Sequence, residues 1–401
     1  MTLLHDMPKT APVSSRVTHS GVNTATTLNL IEWLTGDECH ALDDAGLVGG
    51  LGRRLQALGL PIDRLTLHLA TLHPEFVGRT FAWAPGEPVE IHEREHGSRL
   101  ALANTPLIKA QEMRETLVVG PGESPHGRWQ HIDIFSGRGL VQLIVAPLCN
   151  ADGPISSAVF ATRRAGGFAP GEQDLIERIL PALRNTCELR VLRQCELSLL
   201  DTYIGPMTAS RILAGHIRRG EIESMEAALL LCDLRGFTEL SNRVPGGTVL
   251  GLLNAYFDKV VPAITLEGGE ILKFMGDAVL AFFPGADANG ACNAALTAAK
   301  TILDAIARFD YDGIRIKVGI ALHYGEVSYG NVGSGNRLDF TLIGPDVNIV
   351  SRIQNVCSEG GEALLMSGAF QQQADIPDAI SIGRRQLKGF AEPIELLTIA
   401  E

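Results

Sequence analysis

The stretch EGGEILKFMGDAVLAFF, residues 267–283, predicts two short strands joined by a tight turn. β-Prone apolar residues lie on both sides of Gly276-Asp277, and Gly-Asp is ordinary turn chemistry. The same stretch holds Lys273 and, four residues later, Asp277. An aspartate at a turn is most often structural, so the elements that lie beside this hairpin decide whether Asp277 has a function.

The composition predicts a globular protein. The chain has 401 residues, of which 45% are hydrophobic and 20% charged, enough for two domains with their own cores. Its net charge of −12 argues against a nucleic-acid partner, because that class of protein needs a basic surface. Seven scattered cysteines, an odd number, are expected to be reduced thiols.

No part of the sequence predicts a membrane partner. No apolar run approaches the roughly 20 residues of a membrane-spanning helix. The N-terminus lacks the basic start and the apolar core of a signal peptide. We therefore expect a cytoplasmic protein.

The first half of the chain divides into three regions. Residues 1–27 are rich in Ser, Thr and Pro without periodicity, which predicts a flexible tail. Residues 28–168 mix helical and strand patterns and end in two strands around a turn at 150–153. Residues 169–224 predict a helical connector followed by a transducer element, since apolar residues recur at helical spacing along 170–200. That helix either packs on its own domain or pairs with a second copy as a parallel coiled coil.

Residues 225–401 alternate strand and helix patterns in an order that predicts an α+β sandwich. Its predicted elements are a strand over 227–233, a helix around Leu252 and Tyr256, the two strands of the opening stretch, an alanine-rich helix over 288–308, strands over 314–322 and 337–344 joined through the glycine-rich HYGEVSYGNVGSGN, and a helix over 345–356 with Asp346 as N-cap. We expect the helices to cover one face of a mainly antiparallel sheet.

Asp233 ends the first of these strands, and Asp277 lies at the tip of the later hairpin. If the strands are neighbours, both carboxylates reach one edge of the sheet. Such a pair suits two Mg²⁺ ions about 3.5–4 Å apart. The backbone N–H groups of Gly236, Phe237 and Thr238, just after Asp233, could bind phosphate.

Four segments together resemble the catalytic domain of the class III nucleotidyl cyclases. They are LLLCDLRGFTELS, GGEILKFMGDAVLAFF, HYGEVSYGNVGSGNRLDFTLIGPDVNIVSRI and QLKGFAEP, and they follow the family's order across roughly residues 225–400. The resemblance implies a ferredoxin-like palm that works as a homodimer with its active sites at the subunit interface. More loosely, residues 28–168 resemble a GAF-type α/β sensor domain, because their final hairpin is followed by a helix that starts in APGEQDLIERIL.

The resemblance also implies a role for individual residues. Asp233, Asp277 and the backbone carbonyl of Leu234 match the ligands of two Mg²⁺ or Mn²⁺ ions per active site. The other implied roles are purine recognition by Lys273 and Thr341, orientation of the ribose by Asn348, stabilisation of transition-state charge by Arg352, and binding of the β- and γ-phosphates by Lys388. The chain departs from the family at Phe390, where a second basic residue is common.

The pair Lys273 and Thr341 favours ATP as the substrate. A lysine only donates hydrogen bonds and adenine N1 accepts one, whereas a threonine hydroxyl can accept from the N6 amine. Guanine carries a donor at N1, and guanylate cyclases of this family have a glutamate at the position that matches Lys273. The sequence thus resembles the bacterial branch with a Lys/Thr pair and predicts an adenylate cyclase regulated through its N-terminal domain by an unknown small molecule or protein.

Three alternatives stay open at this point. The first is a guanylate cyclase, the second is a promiscuous purine cyclase, and the third is a catalytically silent module that binds a nucleotide. A diguanylate cyclase is disfavoured, because GGEI matches the GGEEF signature of that class poorly.

The N-terminal half contains residues that could sense a signal. The histidines that could include a haem or metal ligand are His68, His73, His92, His96, His126 and His131, although single histidines are more often structural. Cys187 and Cys195 could pair across a dimer or respond to oxidation, although buried inert thiols are the commoner case.

Overall fold

The computed structural model describes residues 24–96, 104–120, 129, 137–148, 155–285 and 287–399. Two compact units divide the chain, Met1–Leu199 and Leu200–Glu401. Most of the predicted tail, together with His126, His131 and the turn at 150–153, lies outside the described residues. The tail prediction is wrong for residues 24–27, which already belong to a helix that buries Thr27.

The first unit is built on one antiparallel sheet. Its described helices are α1 (Thr24–Thr35), α2 (Asp37–His40), α3 (Asp44–Ala57), α4 (Pro106–Met113) and α5 (Pro170–Ile204), the last of which continues into the second unit. Its strands are β1 (Arg64–Ala70), β2 (Phe76–Trp83), β3 (Glu90–Glu95), β4 (Leu117–Val119), β5 (Gln142–Leu148) and β6 (Ser156–Thr162). They lie in the order β3-β2-β1-β6-β5-β4, and the predicted pairing of the last two is confirmed.

The residues singled out in the N-terminal half differ in burial: Cys187 and Cys195 are buried, whereas the described histidines are partly buried (His68 and His73) or exposed (His92 and His96). His68 is hydrogen-bonded to Thr80 Oγ1 at 2.9 Å, and burial, followed by the charges of Arg94 and Arg64, lowers its pKa to about 3. It is therefore a neutral residue of the sheet at physiological pH. Cys187 and Cys195 are buried free thiols, and burial raises the pKa of Cys187.

The second unit alternates helices and strands as expected. Its described helices after α5 are α6 (Pro206–Leu213), α7 (Phe237–Arg243), α8 (Gly246–Thr265), α9 (Ala288–Ala307), α10 (Pro345–Gly360) and α11 (Gly368–Gln373). Its strands are β7 (Ile222–Leu234), β8 (Glu270–Met275), β9 (Ala278–Pro284), β10 (Val318–Ser334), β11 (Arg337–Ile343), β12 (Leu364–Ser367), β13 (Ala379–Arg385) and β14 (Ile394–Ile399). Among the described residues, no helix is both long and apolar enough to cross a membrane.

The sheet of the second unit has the order β13-β14-β12-β10-β7-β9-β8, and β11 pairs with β10. All its pairings are antiparallel except that of β10 with β12, so the predicted α+β class with a mainly antiparallel sheet is confirmed. Strand β7 lies between β10 and β9, and residues 227–232 of β7 are all buried.

The expectation that helices cover one face only is wrong. Helices α8 and α9 pack against Ala228, Leu230 and Cys232, whereas α10 packs on the opposite face against Ala227 and Leu229. The reason is the uninterrupted apolar run of β7, because a strand without polar residues needs cover on both faces.

Two local predictions also differ from the structure. The glycine-rich segment after residue 322 is not a loop, since β10 runs on to Ser334 and places Val327 and Tyr329 in the core. Asp346 is not the N-cap of α10, because Gly344 takes that position with φ 150° and Asp346 lies in the first turn. Strand β10 continues through its glycines because long side chains along it are buried in the core, although glycines at such positions usually indicate a loop.

The two glycines that open the hairpin each have a structural cause. Gly268 has φ 78°, a backbone conformation that a residue with a side chain rarely adopts. At Gly269, a Cβ atom would lie 2.6 Å from Phe283 Cε1 and 2.7 Å from Ile264 Cγ2, both of which belong to buried residues. The Gly-Gly-Glu segment thus lets β8 start against the core.

We expect Gly269→Ala to lower the free energy of unfolding of the second unit by about 1–3 kcal/mol, because the added methyl overpacks this contact. Urea unfolding followed by circular dichroism measures the change. The matched control is Gly247→Ala in the first turn of α8, where a Cβ atom would meet nothing within 4 Å. Equal stabilities of the two variants would contradict the packing role of Gly269.

Candidate active site

Asp233 and Asp277 meet at one edge of the sheet, as expected from their strands. The register of β7 with β9 pairs Cys232 with Val279, which brings the end of β7 beside the Gly276-Asp277 turn. The half-buried Asp233 carboxyl shares a hydrogen bond with Asp277. Burial, the Asp277 charge and that hydrogen bond raise the pKa of Asp233 to about 6, although the Leu234 N–H opposes the shift.

A divalent cation would remove the repulsion between these carboxylates, and their oxygens are ligands that Mg²⁺ and Mn²⁺ prefer. Among the described residues, no group of three or more His, Cys, Asp or Glu side chains could hold a metal ion. The carboxylate pair therefore needs further oxygen ligands, such as the Leu234 carbonyl or a bound phosphate.

Arg235 fixes the loop that follows Asp233, a role that the sequence pattern did not reveal. Its Nε donates to the Val318 carbonyl at 3.1 Å, and its guanidinium also donates to the Glu362 carbonyl just after α10. Gly236 then adopts φ 67° and begins α7, whose first residues are Phe237 and Thr238. The backbone N–H groups expected to bind phosphate thus directly follow a residue, Arg235, whose side chain is held by hydrogen bonds.

Lys273 is paired with a residue that sequence reasoning missed. On β8, its ammonium forms an ion pair with the Asp339 carboxylate of β11. Asp339 and Thr341 are two residues apart on that strand, so both project from the same side. The lysine lies beside the strand that carries its expected partner Thr341, and the direct contact is with Asp339.

Asn348 and Arg352 lie one turn apart on α10, as the spacing predicts. Asn348 is exposed, whereas Arg352 is partly buried and its Nε has no hydrogen-bond partner among the described residues. A guanidinium N–H without a partner is an unused donor suited to an anionic ligand. Lys388 is exposed in the turn between β13 and β14.

The candidate residues form separate groups within one chain. Hydrogen bonds and ion pairs of the described residues join Asp233 to Asp277 and Lys273 to Asp339. Among these residues, no such bond joins either pair to Asn348, Arg352 or Lys388.

Comparison with known proteins finds a family similarity for part of the chain. Residues 222–368 match the family model "Adenylate and Guanylate cyclase catalytic domain". This segment is similar to the catalytic domains of adenylate and guanylate cyclases. The match includes both aspartates, Lys273, Thr341 and α10, whereas Lys388 lies beyond it.

Curated proteins similar to this segment include adenylate cyclases of two bacteria. The chain is 33% identical over 176 residues to an adenylate cyclase of Anabaena cylindrica, covering 42% of this chain and 34% of that protein. It is 27% identical over 195 residues to adenylate cyclase 1 of Rhizobium meliloti, covering 47% of this chain and 29% of that protein. The chain thus spans about a third of the length of these relatives.

One solved structure similar to this chain is the crystal structure of an adenylyl cyclase from P. aeruginosa. The identity is 25% and the TM-score 0.40, and the match covers 45% of this chain and 96% of that one.

We expect Asp277→Asn to stabilise the metal-free protein increasingly as the pH rises from 4 to 7. Asp233 contributes stability below its unfolded pKa near 4, and this contribution is lost as the pH rises through about 6. Without the Asp277 charge, the folded pKa of Asp233 falls and less stability is lost. The gain relative to the wild type should reach about 1 kcal/mol at pH 7, since solvent screens this half-buried group.

Urea unfolding in EDTA at pH 4, 5, 6 and 7 measures this difference. The control is Asp258→Asn, which removes an exposed carboxylate from α8. A gain for Asp277→Asn that is independent of pH would show that the two carboxyls do not interact.

Proposed function

We propose that the chain is an adenylate cyclase that converts ATP to cyclic AMP and pyrophosphate. The observation that carries the proposal is the contact between Asp233 and Asp277 at the ends of neighbouring strands, inside the segment that matches the cyclase family. Arg352, with an unused donor on α10, adds a cationic group suited to a phosphate. A silent nucleotide-binding module would have no need to hold two carboxylates together at a cost in stability.

The residues present fit two Mg²⁺ or Mn²⁺ ions per active site. Asp233, Asp277 and the Leu234 carbonyl would hold them, as an all-oxygen donor set. Bound metal would supply activation of the ribose 3′-hydroxyl and neutralisation of the triphosphate charge.

The protein itself supplies positioning and charge. Asn348 would orient the ribose so that its 3′-hydroxyl faces the α-phosphorus. Arg352 would donate to the oxygens of that phosphoryl group as negative charge develops in the transition state. Lys388 and the N–H groups of residues 236–238 would bind the remaining phosphates.

Lys273 and Thr341 would recognise adenine. The Lys273 ammonium has three donors, so it can keep the bond to Asp339 and still donate to adenine N1. Asp339 also favours a second candidate, a guanylate cyclase, because its carboxylate could accept from the N1 and N2 donors of guanine. The choice between the purines thus depends on whether Asp339 faces the lysine or the base when nucleotide binds.

We further propose a homodimer in which the metal ligands of one chain face the α10 residues of the other. Within one chain these sets are not joined by hydrogen bonds or ion pairs of the described residues, which supports the proposal.

Residues 28–168 are proposed as a GAF-like regulatory domain. The hairpin β5–β6 and the start of α5, on which this resemblance rests, are both present. The element after α5 is well placed to pass a signal to the catalytic unit, because Thr208 of α6 is hydrogen-bonded to the buried Tyr329 of β10.

We expect the purified protein to form cyclic AMP from ATP with Mg²⁺ or Mn²⁺, with kcat/KM at least about tenfold above that for GTP. Chromatographic assay of both products measures the ratio. Asp339→Asn should keep the preference for ATP, because it leaves the Lys273 donor in place. A higher kcat/KM for GTP, lost in Asp339→Asn, would favour the guanylate cyclase instead.

We expect that mixing Asp277→Ala chains with Arg352→Ala chains restores activity that neither variant has alone. In the mixed dimer one site combines the intact metal ligands of one chain with the intact arginine of the other. Random pairing puts about half of the molecules in mixed dimers with one working site each, or about a quarter of the wild-type rate.

The control mixture contains Asp277→Ala and Asp233→Ala chains, which damage the same set of residues and should not recover. Equal recovery in both mixtures, or none in either, would contradict sites shared between subunits.

A further inference from the structure

A buried polar network on β10 has no part in the function proposed above. The imidazole of His323 is 3% exposed, within the sheet of the second unit. Its Nδ1 lies 2.7 Å from Ser367 Oγ, and its Nε2 lies 2.9 Å from Asp346 Oδ1. Buried polar side chains cost stability unless they are fully paired, so this network needs an explanation.

The donors of the network point in one direction. The Phe370 N–H donates to Ser367 Oγ at 3.2 Å, which caps α11. The Ser367 hydroxyl then donates to His323 Nδ1, and His323 Nε2–H donates to the Asp346 carboxylate. A proton on Nε2 fits this arrangement, because Nε2–H then has the Asp346 carboxylate as acceptor and Nδ1 can accept from the Ser367 hydroxyl.

The end point of the network is the first turn of α10. Asp346 lies two residues before Asn348 and six before Arg352, the two residues proposed to act on the ribose and on the transition state. Its carboxylate occupies space that only a glycine leaves, since a Cβ atom on Gly325 would lie 2.3 Å from Asp346 Cγ. The start of α10 is therefore held both by a hydrogen bond and by close contact with β10.

We propose that His323 and Asp346 are positioning residues, which fix the first turn of α10 and thereby place Asn348 and Arg352. The inference rests on the proposed cyclase function. It follows from the geometry because a helix is stiff along its axis, so a displaced first turn moves Asn348 directly. A shift of about 1 Å at catalytic groups can lower the rate roughly 100-fold.

Two substitutions at His323 separate positioning from simple packing. His323→Gln can place an amide N–H near the former Nε2 and keep the bond to Asp346, whereas His323→Asn can keep only the bond on the Nδ1 side to Ser367. Both remove ring volume. We expect kcat with the preferred nucleotide to fall about 10- to 100-fold in His323→Asn and to stay within about threefold in His323→Gln, with KM within about threefold in both.

A second pair of variants tests the same bond at a less buried position. Asp346→Asn keeps an acceptor oxygen of the same shape, and Asp346→Ala removes it; the Asp346 side chain is 25% exposed, so both should fold. We expect Asp346→Ala to lose kcat like His323→Asn, and Asp346→Asn to stay within about threefold of the wild type. Thermal unfolding of every variant accompanies the kinetics.

The outcomes distinguish the inference from the function on which it rests. An active wild type with equal losses in His323→Asn and His323→Gln, or with no loss in His323→Asn and Asp346→Ala, would overturn the positioning role alone. A wild type that cyclises neither ATP nor GTP would overturn the proposed function, and the positioning role with it.

Discussion

Strand β7 is hydrogen-bonded along both edges and buried on both faces, and it ends at a carboxylate. Its neighbours are β9, which brings Asp277 to the same edge, and β10, which carries His323 and Tyr329. The apolar run of β7 obliges helices to cover both sides of the sheet, so α8 and α9 take one face and α10 takes the other. This central strand thus places the carboxylate pair and the helix of Asn348 and Arg352 on one scaffold.

The candidate site contains groups whose electrostatic environment destabilises the fold, and packing of the core must offset this cost. Two carboxyls share one edge, so the pKa of Asp233 rises to about 6. The Arg352 Nε is buried without a hydrogen-bond partner among the described residues. A divalent cation would offset the repulsion between the carboxyls, and a phosphate would offer Arg352 an acceptor. A metal-nucleotide complex supplies both together. In the same unit, by contrast, the buried His323 is paired with both Ser367 and Asp346.

Much of the fold follows from patterns that are local in sequence. The hairpin around Gly276-Asp277, the alanine-rich helix and the helix of Asn348 and Arg352 were all predictable, because periodicity and turn chemistry act over a few residues. The length of β10 was not, because its glycines carry a loop signal, and only the packing of Val327 and Tyr329 in the core overrides it. The cap of α10 was misassigned because the Asp346 side chain bonds to His323, 23 residues away.

The sequence by itself determined which residues are expected to carry the chemistry. Motifs that resemble the cyclases name them in order along the chain as Asp233, Lys273, Asp277, Thr341, Asn348 and Arg352. Only the tertiary structure decided what each of them touches. Three such contacts join elements that are distant in sequence. They are the ion pair of Lys273 with Asp339, the hydrogen bond of Arg235 to the carbonyl of Glu362 just after α10, and the hydrogen bond between His323 and Asp346. No local pattern encodes them, because they depend on strand register and on which face of the sheet each helix covers.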